Sequence, residues 1–111
     1  EEIHHVEKKD APSGTAITLA RILTEEIKRK TSWVANATPT ADEIGITAVR
    51  EPDVPGTHTV TFSSAIDTIE ITHTAHNRAG FALGAVVATE WLMGKKGVFQ
   101  IDDMLKSRFG I

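Results

Sequence analysis

The residues best suited to chemistry lie close to the start of the chain. His4, His5, Lys8 and Lys9 bring two imidazoles and two ammonium groups together within residues 4–9, and a Pro-Ser-Gly-Thr turn follows at residues 12–15. Imidazole and ammonium groups can donate protons and bind anions. Folding alone rarely requires them at such a density, so this segment is the first candidate for a functional site.

The spacing of these groups sets a geometric condition. His4 and His5 are adjacent, so on a strand their side chains leave opposite faces. His4 and Lys8 share a face, but four strand residues separate their Cα atoms by about 13 Å. Joint action therefore requires the chain to bend between Val6 and Lys8. Taken alone, the histidines are equally compatible with structural imidazoles, and either lysine with an exposed surface residue.

The segment Asp10 to Thr15 has the composition of an anion-binding helix start. Pro12 fixes one backbone angle, Gly14 lets a ligand approach closely, and unpaired N–H groups open a helix. We expect a carboxylate ligand there. An ordinary helix cap would explain the same residues, because every helix begins with four unpaired donors. A nucleophilic Ser13 is less favoured, since it would also need an orienting acid and an oxyanion site.

Two further histidines and one arginine are candidates of lower specificity. Arg78 follows the last predicted strand and could pair bidentately with a carboxylate, although a surface arginine at this junction is an equally good interpretation. His58 and His73 lie in strand patterns, and we interpret them as structural. No H-x-x-x-H pair or nearby carboxylate gives tetrahedral spacing, so no metal site is predicted.

Helical spacing of apolar residues predicts that a helix begins at Gly14, with Ser13 as its N-cap. The apolar positions are Ala16, Leu19, Ala20, Leu23 and Ile27. The basic residues Lys28 to Lys30 are expected at the C-terminal end, where cations complement the helix dipole. Residues 32–42 lack periodicity and predict a connecting loop, with a short helical turn around residues 40–43.

Three segments with alternating apolar residues predict strands that share one apolar face. Their apolar sets are Ile44, Ile46 and Ala48, then Val60 and Phe62, then Ile69, Ile71 and His73. An antiparallel meander is the simplest arrangement. The opposite face is rich in threonine, and it is interpreted either as a solvated surface or as an interface between subunits. Its members are Thr47, Thr59, Thr61, Thr68, Thr72 and Thr74.

The C-terminal third is predicted to hold a buried helix over residues 80–93, which is the most apolar stretch. A short extended piece is expected at residues 98–101, and a helical turn at residues 102–109. Together these elements predict an α+β fold: an open mixed four-stranded sheet, made of an antiparallel meander plus an N-terminal strand, flanked by two helices.

Size and composition favour one soluble domain over residues 1–111. The chain is 41% hydrophobic and 24% charged, with a net charge of −3 and no cysteine. No clustered basic face predicts a nucleic-acid partner. The longest apolar run, residues 81–87, is too short to span a membrane. With no leader segment ahead of Glu1, these features fit a cytoplasmic protein.

The chain resembles the dihydrodipicolinate reductase family at three motifs. Residues 2–16 match its E-x-H-H-x-x-K-x-D-A-P-S-G-T-A signature. Arg50, Asp53, Gly56 and the His-Thr-Val at residues 58–60 are similar to the family's R-x-x-D-x-x-G-x-H-T-V stretch. Residues 72–78 resemble its T-H-x-A-x-x-R stretch. Thr57 departs from the pattern, since family members often carry Glu there, which puts the local loop geometry in doubt.

The resemblance implies a function and a role for each matching residue. It implies the substrate-binding and tetramerisation domain of an NADPH- or NADH-dependent reductase in lysine and diaminopimelate biosynthesis. His4 is then a catalytic acid/base and Lys8 the proton donor. His5, Ser13, Gly14, Thr15 and Arg78 are expected to bind the two carboxylates of a small cyclic substrate. The homotetramer is expected to assemble through the threonine-rich sheet face.

The glycine-rich nucleotide-binding fingerprint is missing from these 111 residues. The resemblance therefore implies that NADPH or NADH is bound mainly by an N-terminal Rossmann domain absent from this chain, and that the chain alone is inactive. The segment after Gly94 is expected to be mobile or docked on another copy. Two alternatives stay open, a non-catalytic dicarboxylate-binding module and a structural oligomerisation domain.

Overall fold

The computed structural model describes residues 1–111 and contains six strands and three helices. In chain order they are β1 Glu2–His4, α1 Gly14–Glu26, β2 Ser32–Ala35, β3 Glu43–Ile46, β4 Ala48–Arg50, β5 Thr57–Ser63, β6 Thr68–Thr74, α2 Ala79–Leu92 and α3 Ile101–Phe109. The chain divides into two units, Glu1–His76 and Asn77–Ile111, which are described separately. Whether residues 1–111 work as one functional domain stays a prediction. No helix has both the length and the apolar character needed to cross a membrane.

The first unit is built on a four-stranded sheet with the order β4-β1-β5-β6. β1 pairs in parallel with β4 and antiparallel with β5, and β5 pairs antiparallel with β6. The open mixed sheet of four strands and the α+β class are thus confirmed. The N-terminal strand lies between β4 and β5, so the strands that follow one another along the chain do not form one continuous meander.

The arrangement of the middle segment differs from the expectation. The stretch predicted as one strand over residues 44–48 is divided at Thr47 into β3 and β4, which belong to different sheets. The segment predicted as a loop over residues 32–42 contains β2, which pairs in parallel with β3. Only the pairing with β3 reveals this strand, because Ser32–Ala35 is too short to show a sequence period.

Helix α1 begins as predicted, with Ser13 as the N-cap. Its buried residues Ala16 and Ala20 form the small core of this unit together with Ile46 of β3. The helix ends at Glu26, so the basic cluster at residues 28–30 lies beyond its last turn. Lys30 donates instead to the carbonyl oxygens of Ala41 and Glu43, at 2.9 and 2.7 Å. These bonds tie the chain after α1 to the start of β3.

Both faces of β6 are exposed in this chain. Ile69 and Ile71, expected on a buried apolar face, are 60% and 63% exposed. The threonine-rich face is also present, since Thr59 and Thr72 are paired across the strands and their hydroxyl groups hydrogen bond at 3.0 Å. β6 is therefore exposed on both faces, whereas the first four residues of β5 are half-buried.

The second unit contains α2 and α3. The helix predicted over residues 80–93 is confirmed in position, but the prediction that it is buried is wrong, because α2 has no buried residue and Phe81 is 57% exposed. The expected helical turn is a nine-residue helix, α3, whose start is stabilised by a capping box between Gln100 and Asp103. No strand forms at residues 98–101. Trp91 donates to the hydroxyl of Ser107 at 3.2 Å, which joins the two helices.

Candidate functional site

The register of the four-stranded sheet brings four chemistry-bearing side chains to one face. Glu2 and His4 are two residues apart on β1, so they point the same way. Glu2 lies directly opposite His58 of β5, and His4 lies directly opposite Arg50 of β4. Paired residues on neighbouring strands share a face. A carboxylate, two imidazoles and a guanidinium therefore meet on this face of the sheet.

Glu2 is at the centre of this cluster and is completely buried. Its Oε1 accepts from Arg50 Nη2 at 3.0 Å and from the backbone N–H of Ser13 at 3.1 Å. Its Oε2 accepts from Arg50 Nη1 at 3.1 Å and from Nδ1 of His4. One carboxylate thus joins the guanidinium, the start of α1 and the first histidine of the predicted site.

The environment of Glu2 keeps this group ionised. Burial alone would raise the pKa of the Glu2 carboxyl, because it disfavours the charged form. Hydrogen bonds from Arg50, His4 and Ser13 outweigh that effect, and the pKa lies below its ordinary value. The buried group is therefore a carboxylate near neutral pH, and it can only accept hydrogen bonds.

Arg50 also fixes the backbone of the segment that carries Lys8. Its Nη2 donates to the carbonyl oxygen of Asp10 at 2.6 Å, and its Nε donates to the carbonyl oxygen of Lys8 at 3.4 Å. A guanidinium suits this role because its N–H groups are arranged in a rigid plane. The same side chain therefore binds the buried carboxylate and the loop between β1 and α1.

His4 is buried, and its protonation pattern follows from its partner. Because Glu2 accepts only, Nδ1 of His4 must carry the hydrogen of their bond. The other ring nitrogen, Nε2, lies beside Gly56, where a Cβ atom on that residue would approach it to 3.1 Å. Nε2 is thus the nitrogen of His4 that is left for acid/base chemistry.

His58 contacts both His4 and the start of α1. Its ring packs edge-on against the ring of His4, with centroids 5.0 Å apart. Its Nε2 lies 3.1 Å from Oγ of Ser13, which already accepts the N–H of Ala16. Burial, followed by the nearby His4, lowers the pKa of His58. A neutral His58 can accept the Ser13 hydroxyl hydrogen at Nε2, so the Ser13 side chain is held on both sides.

The start of α1 retains the donors that the sequence predicts for an anion. The N-cap Ser13 uses its own N–H on Glu2 and its side chain on Ala16. The backbone N–H groups of Gly14 and Thr15 have no partner in the chain, and both residues are exposed. Nothing lies within 4 Å of the position a Cβ would take on Gly14. Two amide donors therefore face open space.

The loop between β1 and α1 supplies the bend that the histidine and lysine spacing requires. The strand ends at His4, and the N–H of Lys8 donates to the carbonyl oxygen of His5 at 3.1 Å, which closes a turn through Val6 and Glu7. The ammonium of Lys8 donates to the exposed carboxylate of Asp10 at 2.8 Å. That bond is the first cause of a lowered pKa for Asp10.

His5 and Arg78, two of the predicted carboxylate ligands, belong to different units of the chain. Nδ1 of His5 is 3.0 Å from the carboxylate of Glu7, so it belongs to the loop and not to the buried face. Arg78 directly precedes α2 and is part of the second unit. Its assignment to a substrate carboxylate stays a prediction that depends on the family motif.

The group formed by Glu2, His4 and His58 also has the composition of a metal site. One ligand atom from each lies within 4.8 Å of the others, a proximity that the sequence spacing did not indicate. The carboxylate, however, already accepts four hydrogen bonds, two of them from the guanidinium of Arg50. A divalent cation would have to displace that cation, so the donor set fits an ion pair better than a metal.

Sequence reasoning missed the residues that hold the site together. The sequence motifs contain Glu2 and Arg50 but indicate no role for either residue, and the strand pattern around His58 favours a structural imidazole. The signal for Glu2 is its spacing of two from His4, which places both on one face of a strand. No local signal identifies Arg50 as its partner, because the two residues meet only through the parallel pairing of β1 and β4.

A family model described as "Dihydrodipicolinate reductase, C-terminus" matches residues 1–105. A protein named 4-hydroxy-tetrahydrodipicolinate reductase from Christiangramia forsetii is 56% identical over 109 residues, which is 98% of this chain and 45% of that protein. The protein of the same name from Aquifex aeolicus is 47% identical over 108 residues, covering 94% of this chain and 41% of that protein. The chain thus spans less than half the length of these curated relatives.

One solved structure is similar to the chain in fold. It is described as a dipicolinate-bound dihydrodipicolinate reductase from Paenisporosarcina sp. TG-14. The TM-score is 0.61 with 24% sequence identity, over 88% of this chain and 40% of that one. At this identity the similarity supports the fold alone.

Proposed function

Because the chain belongs to the family of dihydrodipicolinate reductase C-terminal domains, we propose that it is the substrate-binding and catalytic domain of an NAD(P)H-dependent reductase. The proposed reaction reduces a cyclic unsaturated imine dicarboxylate to tetrahydrodipicolinate in lysine and diaminopimelate biosynthesis. Its proposed location is the cytoplasm, where we expect that pathway to operate.

The observation that carries the proposal is the start of α1. The unpaired N–H groups of Gly14 and Thr15 open onto free space at the positive end of a helix dipole. The same loop carries the ammonium group of Lys8 and the imidazole of His5. A small planar ring with two carboxylates fits such a site, since one carboxylate can accept the amides and the other can pair with a cation. We assign Gly14 and Thr15 to the first carboxylate, and His5 and Arg78 to the second. Ser13 is assigned to the first carboxylate as well, but its N–H is bonded to Glu2, so its hydroxyl would have to exchange the contact with His58 for the substrate.

Reduction of the ring adds a hydride and a proton across a double bond, and this chain would supply the proton. The ammonium of Lys8 is the proposed donor, and His4 the acid/base that acts through Nε2. The ammonium of Lys8 is bonded to the exposed carboxylate of Asp10. We infer that substrate displaces that contact, which an exposed ion pair allows at little cost.

The 111 residues do not themselves fit a nicotinamide dinucleotide. They contain no glycine-rich turn between a strand and a helix of a βαβ unit, which is the feature that binds the pyrophosphate. We therefore assign no residue of this chain to NADPH or NADH. In the proposed enzyme a separate nucleotide-binding domain binds the cofactor and supplies the hydride.

The proposed assembly is a homotetramer formed through the hairpin of β5 and β6. Its support is that both faces of β6 are exposed in this chain. Thr68, Thr72 and Thr74 lie on the threonine-rich face of β6, which a second copy could cover. Analytical ultracentrifugation of the chain tests this. Thr72→Arg should reduce the mass to that of the monomer, whereas Thr18→Arg, at an exposed position of α1, should not.

Titration of the chain with pyridine-2,6-dicarboxylate tests the substrate site. We expect saturable binding that Lys8→Ala and Gly14→Ala weaken, since the second change places a methyl group over the free amides, while the controls Lys9→Ala and Thr24→Ala leave it unchanged. If none of the four substitutions changes the affinity for the dicarboxylate, the result would favour a purely structural oligomerisation domain. Calorimetry measures the affinity directly.

Fusion to a nucleotide-binding domain tests the catalytic role. The residues that precede the matched region in the Christiangramia forsetii relative would be joined to Glu1. We expect oxidation of NADPH or NADH that depends on the cyclic substrate and collapses with Lys8→Ala but not with Lys9→Ala. Tight dicarboxylate binding without any turnover in the fused protein would favour a binding module instead.

A further inference from the structure

The proposed mechanism leaves one fully buried ionised group without a role. Glu2 and Arg50 have side chains that are 0% and 19% exposed. Neither is a proposed ligand of the substrate. A buried ion pair is a costly feature, because both charges lose their hydration, and apolar residues of similar volume would often be at least as stabilising. Its presence under the proposed site therefore needs a reason other than stability.

The hydrogen bonds of the pair suggest that reason. Glu2 binds Nδ1 of His4 and the N–H of Ser13 through different oxygens. Arg50 binds the backbone of Lys8 and Asp10. The acid/base, the helix start and the proton-donor loop lie on three different segments, and the ion pair is bonded to all three.

We propose that the Glu2–Arg50 ion pair is a positioning device that fixes His4, the start of α1 and the Lys8 loop relative to one another. The proposal rests on the function proposed above. Neither residue needs to touch the substrate. Glu2 selects the ring form of His4 that carries hydrogen on Nδ1, and so leaves Nε2 for the reaction. By occupying the N–H of Ser13, it directs the anion to the amides of Gly14 and Thr15.

This arrangement makes a direct prediction for the unliganded parent chain. ¹⁵N spectra of the imidazoles should show that His4 carries its hydrogen on Nδ1, and the amide proton of Ser13 should resonate downfield, as a bond to a carboxylate requires. A parent chain in which His4 carries its hydrogen on Nε2 alone would overturn the proposal. This result does not depend on any ligand.

Variants then separate positioning from simple stabilisation. Glu2→Gln keeps the shape but removes the charge, and Glu25→Gln is the matched control on exposed α1. The double variant Glu2→Gln with Arg50→Met removes both buried charges, so it should fold even if the single variant does not. In the double variant we expect a mixed ring form for His4 and a dicarboxylate affinity at least about tenfold weaker than that of the parent.

The outcomes distinguish this inference from the proposed function. If the parent chain binds no dicarboxylate, the proposed function fails, but the spectra of His4 and Ser13 still report on positioning. If the double variant folds and binds like the parent, with His4 unchanged, the ion pair is only structural and the inference fails. In the fused protein, Glu2→Gln should lower kcat by up to about 100-fold, as expected for misplaced reacting groups.

Discussion

Replacement of Gly56 by alanine tests whether His4 is held as rigidly as its hydrogen bonds imply. Gly56 has a φ of +155°, a backbone conformation that residues other than glycine rarely adopt. A Cβ there would lie 3.1 Å from Nε2 and 3.3 Å from Cδ2 of His4. The imidazole cannot turn away freely, because its Nδ1 is bonded to the buried Glu2.

Two costs contribute to the expected effect. An unfavourable backbone conformation costs about 1–3 kcal/mol. Forcing a methyl group against a packed side chain costs about 1–3 kcal/mol more. We therefore expect Gly56→Ala to lower the free energy of unfolding by about 2–6 kcal/mol, which is a large share of the roughly 5–15 kcal/mol available to a typical domain.

The matched control is Gly14→Ala. Nothing lies within 4 Å of its Cβ position, and the residue opens a helix, so its unfolding free energy should stay within about 1 kcal/mol of the parent. The same change should weaken dicarboxylate binding, because the methyl group would enter the space over the free amides. Gly14→Ala thus separates binding from stability, because it should affect the first and leave the second nearly unchanged.

Urea denaturation followed by tryptophan fluorescence and circular dichroism measures the difference. With slopes of about 1–3 kcal/mol per molar urea, the midpoint of Gly56→Ala should fall by at least about 0.7 M. A midpoint within error of the parent would refute the reasoning. It would mean that either the backbone at Gly56 or the imidazole of His4 relaxes without cost.

Three other changes have expected outcomes that urea denaturation can check. Arg50→Met should cost about 3–5 kcal/mol at neutral pH, because it leaves the carboxylate of Glu2 buried without its cation. The pKa of Glu2 is lowered in the fold, so the stability that the ionised carboxylate contributes is fully present above the ordinary pKa of 4.5. This stability is lost as the pH falls through the lower folded pKa, so the difference in stability between Arg50→Met and the parent should shrink in that acid range. The pKa of His58 is likewise lowered from 6.5, so the parent should lose stability as the pH falls below that value, by at most about 1.4 kcal/mol per pH unit. His58→Gln should remove this dependence of the unfolding free energy on pH. Ser13→Ala should cost about 1 kcal/mol through the lost cap, and an unchanged midpoint would show that His58 and the cap do not depend on its hydroxyl.

Features with a local cause could be predicted from the sequence. The start of α1 follows from a cap residue and a helical period that lie within a few positions, and the structure places it at Gly14. The bend after His4 is required if His4 and Lys8 act together, because a straight strand would hold their Cα atoms about 13 Å apart. β5 and β6 follow from two alternating runs separated by a short turn, and they pair as a hairpin.

Features with a non-local cause could not be predicted from the sequence. The short strand β2 exists because β3 pairs with it, and nothing in Ser32–Ala35 marks a strand by itself. The exposure of α2 also follows from what surrounds it, since an apolar composition predicts burial but does not identify the partner. The exposure of Ile71 has the same cause, because an alternating pattern predicts a buried face but does not identify the element that would cover it.

The site combines both kinds of cause. Its reactive groups are contiguous, which is why a single segment of the sequence could be singled out. The charge that orients them comes from Arg50, forty-eight residues after Glu2 in the chain. That contact exists only when β4 pairs with β1 in the observed register, because a slip by one residue would turn the guanidinium to the other face. A reactive segment alone therefore does not specify its own geometry. The strand pairing specifies it, so the chemistry of residues 2–15 should depend on the folding of the whole first unit.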